Sequence, residues 1–324
     1  MKALLCTRLG EPDDLEMRDV PDPSARAGET VVRVEAAALN FFDTLLIAGK
    51  YQIKPELPFS PAAEFAGTVE AVGPGVTAVA PGDRVAGYMA YGAARERVAV
   101  AADQLVRLPD NVDAARAAGL IVTYGTAYYA LKDRAQLRAG ETLAVLGASG
   151  GVGLAAIELG KIMGARVIAC ASTADKLDFA HAHGADDVVN YAGDDLRAAL
   201  KRLGGEHGID VVFDPVGGPH SEAALRSLAW QGRLLVIGFA TGDIPKLPLN
   251  LVLLKSCDVR GVYWGNWLAR DGEAHRANMG ELLAWCATGK LSAHVHAVYP
   301  LARGAEALHA LQDRAVMGKV VLRP

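Results

Sequence analysis

Cysteine is scarce: the 324 residues contain four, Cys6, Cys170, Cys257 and Cys286, scattered and without a C-x-x-C pair. A clustered structural zinc site needs closely spaced thiolates, so none is expected. So few cysteines in so long a chain also argue against a disulfide framework. There is no apolar run of the roughly eighteen residues that a membrane-spanning helix needs. No basic block stands out, and the net charge is −4, which removes the electrostatic footprint of a nucleic-acid binder. The G-x-S-x-G elbow of serine hydrolases is missing. The eight histidines show no metal spacing; His294 and His296 alternate in a strand-like stretch and read as a solvated pair. The segment Met1 to Arg8 turns polar too early for a signal peptide, so a cytoplasmic location is expected.

What is present is an ordinary globular composition, 51% hydrophobic and 22% charged, long enough for two domains. The first part reads as β-rich. Alternation over Glu29 to Ala36 marks a half-buried strand, and Phe65 to Gly73 is a second, closed by the turn Gly73-Pro74-Gly75. Arg84 to Tyr88, Arg97 to Val100 and Leu105 to Leu108 complete a set suited to a compact, partly closed barrel. The pattern then changes to apolar strand cores alternating with helical stretches. The cores are 143–146, 166–170, 187–189, 210–213, 234–237 and 258–262, and near-continuous apolar runs fit strands buried on both faces. Such alternation predicts an α/β fold with a doubly wound, parallel six-stranded sheet. The tail holds two helical stretches and a last strand, Lys319 to Leu322, expected to return to the first domain. The domains are thus expected at 1–122 with 264–324, and at 123–263.

Gly147-Ala148-Ser149-Gly150-Gly151-Val152-Gly153 follows the first strand of that sheet and opens a helix. In a βαβ unit this is the seat of a dinucleotide's pyrophosphate: glycine lets the backbone approach, and the helix start offers free N–H groups. Cofactor contacts are expected from Ala148, Ser149, Gly150, Gly151 and Val152. An NAD site carries an acid at the end of the second strand, to hold the ribose 2′-hydroxyl. Here Ala171 and Ser172 stand there, and Asp175 lies on the next helix turn, where a helix-start role explains it. Ser172, Thr173 and Lys176 offer hydroxyls and a cation to a 2′-phosphate, and Tyr191 follows the third strand toward the same pocket. These residues favour NADPH, although Lys176 also reads as a solvated helix lysine.

The chain resembles the zinc-free NADPH:quinone oxidoreductase family of the medium-chain dehydrogenase/reductase superfamily. The resemblance covers essentially the whole chain. It is carried by Asn40-Phe41-Phe42-Asp43-Thr44, the segment Pro58 to Gly67, the glycine turn, Phe213 to Gly218, Ile237 to Ala240 and Gly318 to Leu322. It implies a GroES-like catalytic domain beside the Rossmann domain. Zinc-containing relatives carry a Cys near the place of Asn40 and a His-Glu pair where this chain has Ala63-Glu64. Two ligands are thus replaced, and no metal is expected. Without a Lewis acid the acceptor must take reducing equivalents readily, which suits quinones and activated enones.

By the same resemblance, Asn40, Asp43 and Tyr51 lie on the substrate side. Asn40 would donate a hydrogen bond to a carbonyl oxygen as charge develops. Tyr51 is a hydrogen-bond or proton donor, or else a packing aromatic, and Asp43 orients its neighbours. Thr123, Thr126, Val216, Gly238, Phe239, Ala240, Gly318 and Lys319 are implied along the cofactor, while Tyr124 is either near it or a packing residue. Trp264 and Trp267 fit a substrate entrance or ordinary packing. Two other readings stand beside the quinone reductase. One is an enone or enoyl-thioester reductase on the same fold, for which no basic cluster is evident; the other is a non-catalytic NADPH-binding protein. The resemblance also implies a homodimer through the sixth strand, at Cys257 to Tyr263.

Overall fold

The computed structural model describes residues Met1–Pro324. Along the chain come β1 (Lys2–Cys6), β2 (Leu15–Asp19), β3 (Glu29–Leu39), α1 (Phe41–Ile47), β4 (Glu64–Val72), β5 (Arg84–Tyr88), β6 (Arg97–Ala101), β7 (Leu105–Arg107) and α2 (Ala114–Tyr128). There follow β8 (Thr142–Leu146), α3 (Gly151–Ile162), β9 (Arg166–Ala171), α4 (Ala174–Ala182), β10 (Asp187–Asn190), α5 (Leu196–Gly204), β11 (Ile209–Asp214), α6 (Pro219–Ser227), β12 (Leu228–Val236), α7 (Leu249–Lys255) and β13 (Asp258–Gly261). The chain ends with α8 (Trp264–Arg270), α9 (Gly272–Ala287), β14 (Val295–Pro300), α10 (Gly304–Gln312) and β15 (Lys319–Arg323). Two compact units result, Met1–Val122 with Leu268–Pro324, and Thr123–Trp267. No helix is long and apolar enough to cross a membrane.

The first unit is built around β3. Its long run of small and β-branched residues suits a pleated, buried surface. It pairs along its length with β4; on its other side residues 29–33 pair with β6 and 37–39 with β15. Two register shifts against β4 let the strand bend while it changes partners. The core beneath it includes Leu39, Leu46, Ile47, Phe65, Val85 and Leu322. Most of β3 to β7 lies where the alternation in the sequence predicts strands. No such pattern marks β1, whose apolar residues pair with β2 apart from the main sheet, or α1.

The second unit carries the expected six-stranded parallel sheet, in the order β10-β9-β8-β11-β12-β13. Leu143, Val145, Val167, Val211 and Phe213 have no exposed surface, as strands covered on both faces require. The order places β8 and β11 side by side while the chain departs from them in opposite directions. Their C-terminal loops therefore open at a topological switch point, where α/β sheets bind ligands.

Candidate active site

At that switch point the glycine turn takes the conformation its residues were expected to need. Gly147 has φ +59°, and its α-carbon faces the side chains of Pro215 and Val216. A Cβ on Gly153 would stand 2.3 Å from the Gly147 carbonyl oxygen, so the helix approaches the turn closer than any side chain permits. Gly150 is the N-cap of α3 and no side chain caps it. Ala148 and Ser149 are buried, whereas Gly150, Gly151 and Val152 at the helix start are half-buried.

The loops after β11 and β12 close against each other beside this turn. Asp214 accepts from the Val216 and Gly217 N–H groups at 2.9 Å and from the Ser221 hydroxyl. Its backbone carbonyl accepts from Ile237 at 2.9 Å, and the carbonyls of Pro215 and Val216 accept from Ala240 and Thr241 at 3.0 Å. Val216, Gly238, Phe239 and Ala240 are thereby gathered in one hydrogen-bonded wall. Asp214 was not singled out in the sequence, because its hydrogen bonds knit two loops together and follow no local motif.

At the end of β9, Thr173 caps α4 by accepting from the Lys176 N–H at 3.4 Å. Tyr191 donates its N–H to the Ala171 carbonyl at 3.1 Å, which sets it beside Ser172. Ser172, Thr173 and Lys176 thus follow the end of β9, the Tyr191 backbone at the end of β10 lies beside them, and Asp175 is exposed in the first turn of α4. Sequence reasoning missed His220, whose ring lies 4.6 Å from that of Tyr191. Burial holds its imidazole below the usual value, partly opposed by the Asp214 carboxylate. No motif announces this histidine; only the meeting of β10 and α6 does.

In the first unit, Asn40, Asp43, Glu64 and Lys319 form one buried network. The local cause is the start of α1. Asn40 is its N-cap and donates its backbone N–H to Asp43 at 2.8 Å, a capping-box arrangement. The other Asp43 oxygen accepts from the Ala62 N–H at 2.9 Å. Burial raises the Asp43 carboxyl to about 7, against the two N–H bonds that favour its charge. β15 meets the same point from the far end of the chain. The Lys319 ammonium donates to the Leu39 carbonyl, Asn40 Oδ1 and Glu64 Oε1, each at 2.7 Å. Glu64 Oε1 also accepts from Asn40 Nδ2 at 2.9 Å, and its Oε2 from the Val122 N–H at 2.6 Å. This link between positions 64 and 319 has no local sequence signal. Tyr51 stacks on Phe42 of α1 with ring centroids 5.2 Å apart.

The remaining expected residues take other places. Thr123 and Thr126 are buried on α2. Tyr124 is fully buried and donates to Glu158 at 2.9 Å, while Glu158 also meets His183 at 3.0 Å. Trp264 is buried and Trp267 stacks on Tyr129 at 4.3 Å, both within the second unit's packing. Gly318 has φ +87° and delivers Lys319 to the network of the first unit.

Residues 26–110 match the family described as the alcohol dehydrogenase GroES-like domain, and 151–286 the one described as zinc-binding dehydrogenase. The chain is 39% identical over 322 residues to quinone oxidoreductase-like protein 2 of Mus musculus, covering 99% of this chain and 91% of that one. Among solved structures it is similar to Escherichia coli quinone oxidoreductase complexed with NADPH, at 30% identity, TM-score 0.93 and full coverage of both chains. It is also similar to a mycobacterial protein complexed with NADPH, at 35% identity, TM-score 0.93 and full coverage of both. The zinc in one family description does not suit the residues found here. Ala63 offers no ligand, Asn40 Oδ1 and Glu64 Oε1 already accept from an ammonium, and a second cation there would face that charge. No group of three His, Cys, Asp or Glu is arranged to hold a metal ion. With both of its halves matched and relatives spanning its whole length, the chain belongs to the medium-chain dehydrogenase/reductase superfamily, among its quinone oxidoreductases.

Proposed function

We propose that the chain is an NADPH-dependent, zinc-independent reductase of quinones and related electron-poor enones. One observation carries the acceptor side of this reading. Where zinc relatives place metal ligands, this chain holds a carboxamide whose oxygen is taken by Lys319 and one of whose N–H groups is taken by Glu64. The second N–H of Asn40 remains for a ligand. A fixed amide donor stabilises oxyanion character on an acceptor that is already electron-poor, and it is a weaker aid to a plain ketone.

Bound NADPH would supply the reducing equivalents. The glycine turn and the N-terminus of α3 would take its pyrophosphate, with Ala148 to Val152 as contacts. Ser172, Thr173, Lys176 and Tyr191 would receive the 2′-phosphate, supported by the lack of an acid at the end of β9. Val216, Gly238, Phe239 and Ala240 would line the nicotinamide half, and Thr123 and Thr126 would back it from α2. Asn40 would hold the acceptor's oxygen, Asp43 would hold Asn40's backbone, and Tyr51 would border the acceptor. The names of the mouse and bacterial relatives point the same way.

The same reading makes the protein a cytoplasmic homodimer. None of the four cysteines forms a disulfide, which agrees with a reducing compartment. β13 is an edge strand, and Leu249, Leu253, Leu254, Val259 and Tyr263 on and beside it are exposed, a surface suited to a second copy.

An acceptor panel tests the reading: naphthoquinones, enals, an enoyl thioester and an unactivated ketone, each with NADPH. Rapid NADPH oxidation with quinones or enals and little with the ketone is expected. Preference for the thioester would move the chain to the enoyl-thioester class. Micromolar NADPH binding without turnover of any acceptor would make it a binding protein instead.

A further inference from the structure

We infer that Lys319 and Glu64 are positioning residues that decide which atom of Asn40 the acceptor meets. The inference rests on the reductase reading above and adds to it a residue pair with a specific task. The two ends of a carboxamide have nearly the same shape and differ only in hydrogen bonding. An asparagine in a neutral pocket can therefore present either its oxygen or its nitrogen. Here the choice is made twice. The Lys319 ammonium has only donors, so the atom 2.7 Å away must be the amide oxygen. The Glu64 carboxylate has only acceptors, so the atom 2.9 Å from it must be the amide nitrogen.

The pair is also closed to other work. Lys319 is 4% exposed and each of its three donors has a partner, Leu39, Asn40 or Glu64. Glu64 has no exposed surface, and both its oxygens are occupied. A phosphate contact from Lys319 would break one of these bonds. The ion pair thus keys the amide, and all of its polar atoms are already engaged in doing so. What it leaves over is a single N–H of Asn40, of fixed orientation, which is the donor that an acceptor acquiring negative charge requires.

The test uses the full chain and three variants: Asn40→Ala, the charge-neutral pair Glu64→Gln with Lys319→Met, and all three changes together. Asn40→Ala and the charge-neutral pair are each expected to lower kcat for a naphthoquinone about tenfold or more, with NADPH Kd within about twofold of wild type. Because the pair acts through Asn40, the triple variant should be no slower than Asn40→Ala alone. Losses that multiply in the triple variant would overturn the inference, as would a weakened NADPH Kd in the charge-neutral pair or an unchanged kcat in Asn40→Ala. A second readout needs neither cofactor nor turnover. In asparagine-labelled protein the Asn40 side-chain amide, assigned by its loss in Asn40→Ala, should show two well-separated proton shifts that draw together in the charge-neutral pair. An unaltered resonance there would overturn the inference even if the chain reduced no acceptor, an outcome that would separately refute the reductase reading. Should the double substitution fail to fold, Glu64→Gln alone keeps the shape and should move both readouts the same way by less; no movement in either would count against the inference.

Discussion

Asp43 accepts hydrogen bonds from two backbone N–H groups yet has no exposed surface, and burial lifts its carboxyl from 3.8 to about 7. The folded chain therefore keeps this proton at pH values where the unfolded chain has lost it. Its contribution to stability is full below about pH 4, declines as pH rises toward 7, and is constant above that. Asp43→Asn cannot titrate, so its destabilisation, about 1–3 kcal/mol near pH 4, should shrink toward pH 8 in urea titrations. At the end of β9, where we propose that the 2′-phosphate sits, Lys176→Ala should weaken NADPH binding about tenfold and leave NADH unchanged. Ser172→Asp should reverse the preference, because a carboxylate there repels the 2′-phosphate and accepts from a 2′-hydroxyl. Fluorescence titration with both nucleotides reads each result. Residues of this kind are partly legible in sequence. Ser172 and Lys176 follow a strand at a fixed interval, and Asn40 is marked by the ligand it replaces. The partners of Asn40 are not legible, since an ion pair between positions 64 and 319 leaves no trace in either neighbourhood.

Among the elements, the glycine turn is tightly constrained. Gly153→Ala would place a methyl 2.3 Å from the Gly147 oxygen and push α3 off its strand. A loss of about 1–3 kcal/mol in stability and at least about tenfold in NADPH affinity is expected, measured by thermal melting with and without nucleotide. The strands of the parallel sheet were readable because burial on both faces writes itself as continuous Val, Ile, Leu and Ala. The helix Phe41–Ile47 was not, because its seven residues are too short for a periodic pattern and its cap looks like any Asn-x-x-Asp. β1 escaped for a related reason: its four buried residues resemble the apolar start of many chains, and its partner β2 is polar and exposed. Elements that answer to a local period are visible in sequence, whereas those held by distant backbone are not.

For the molecule as a whole, the exposed leucines of α7 bear on assembly. Leu249 and Leu253 are each 77% exposed, an unusual state for leucines on one short helix beside a sheet edge. Leu249→Glu with Leu253→Glu should convert a dimer of about 68 kDa, twice the 34.0 kDa chain, into monomers in light-scattering chromatography, with the thermal midpoint little changed. A wild-type monomer would end that part of the account. The central claim is reduction by NADPH without a metal, and the most direct measurement is quinone-dependent NADPH oxidation by the full chain before and after exhaustive treatment with a strong zinc chelator. The same kcat in both samples and no gain on adding zinc are expected. Activity lost to the chelator and restored by zinc, or no quinone-dependent oxidation at all, would contradict that claim.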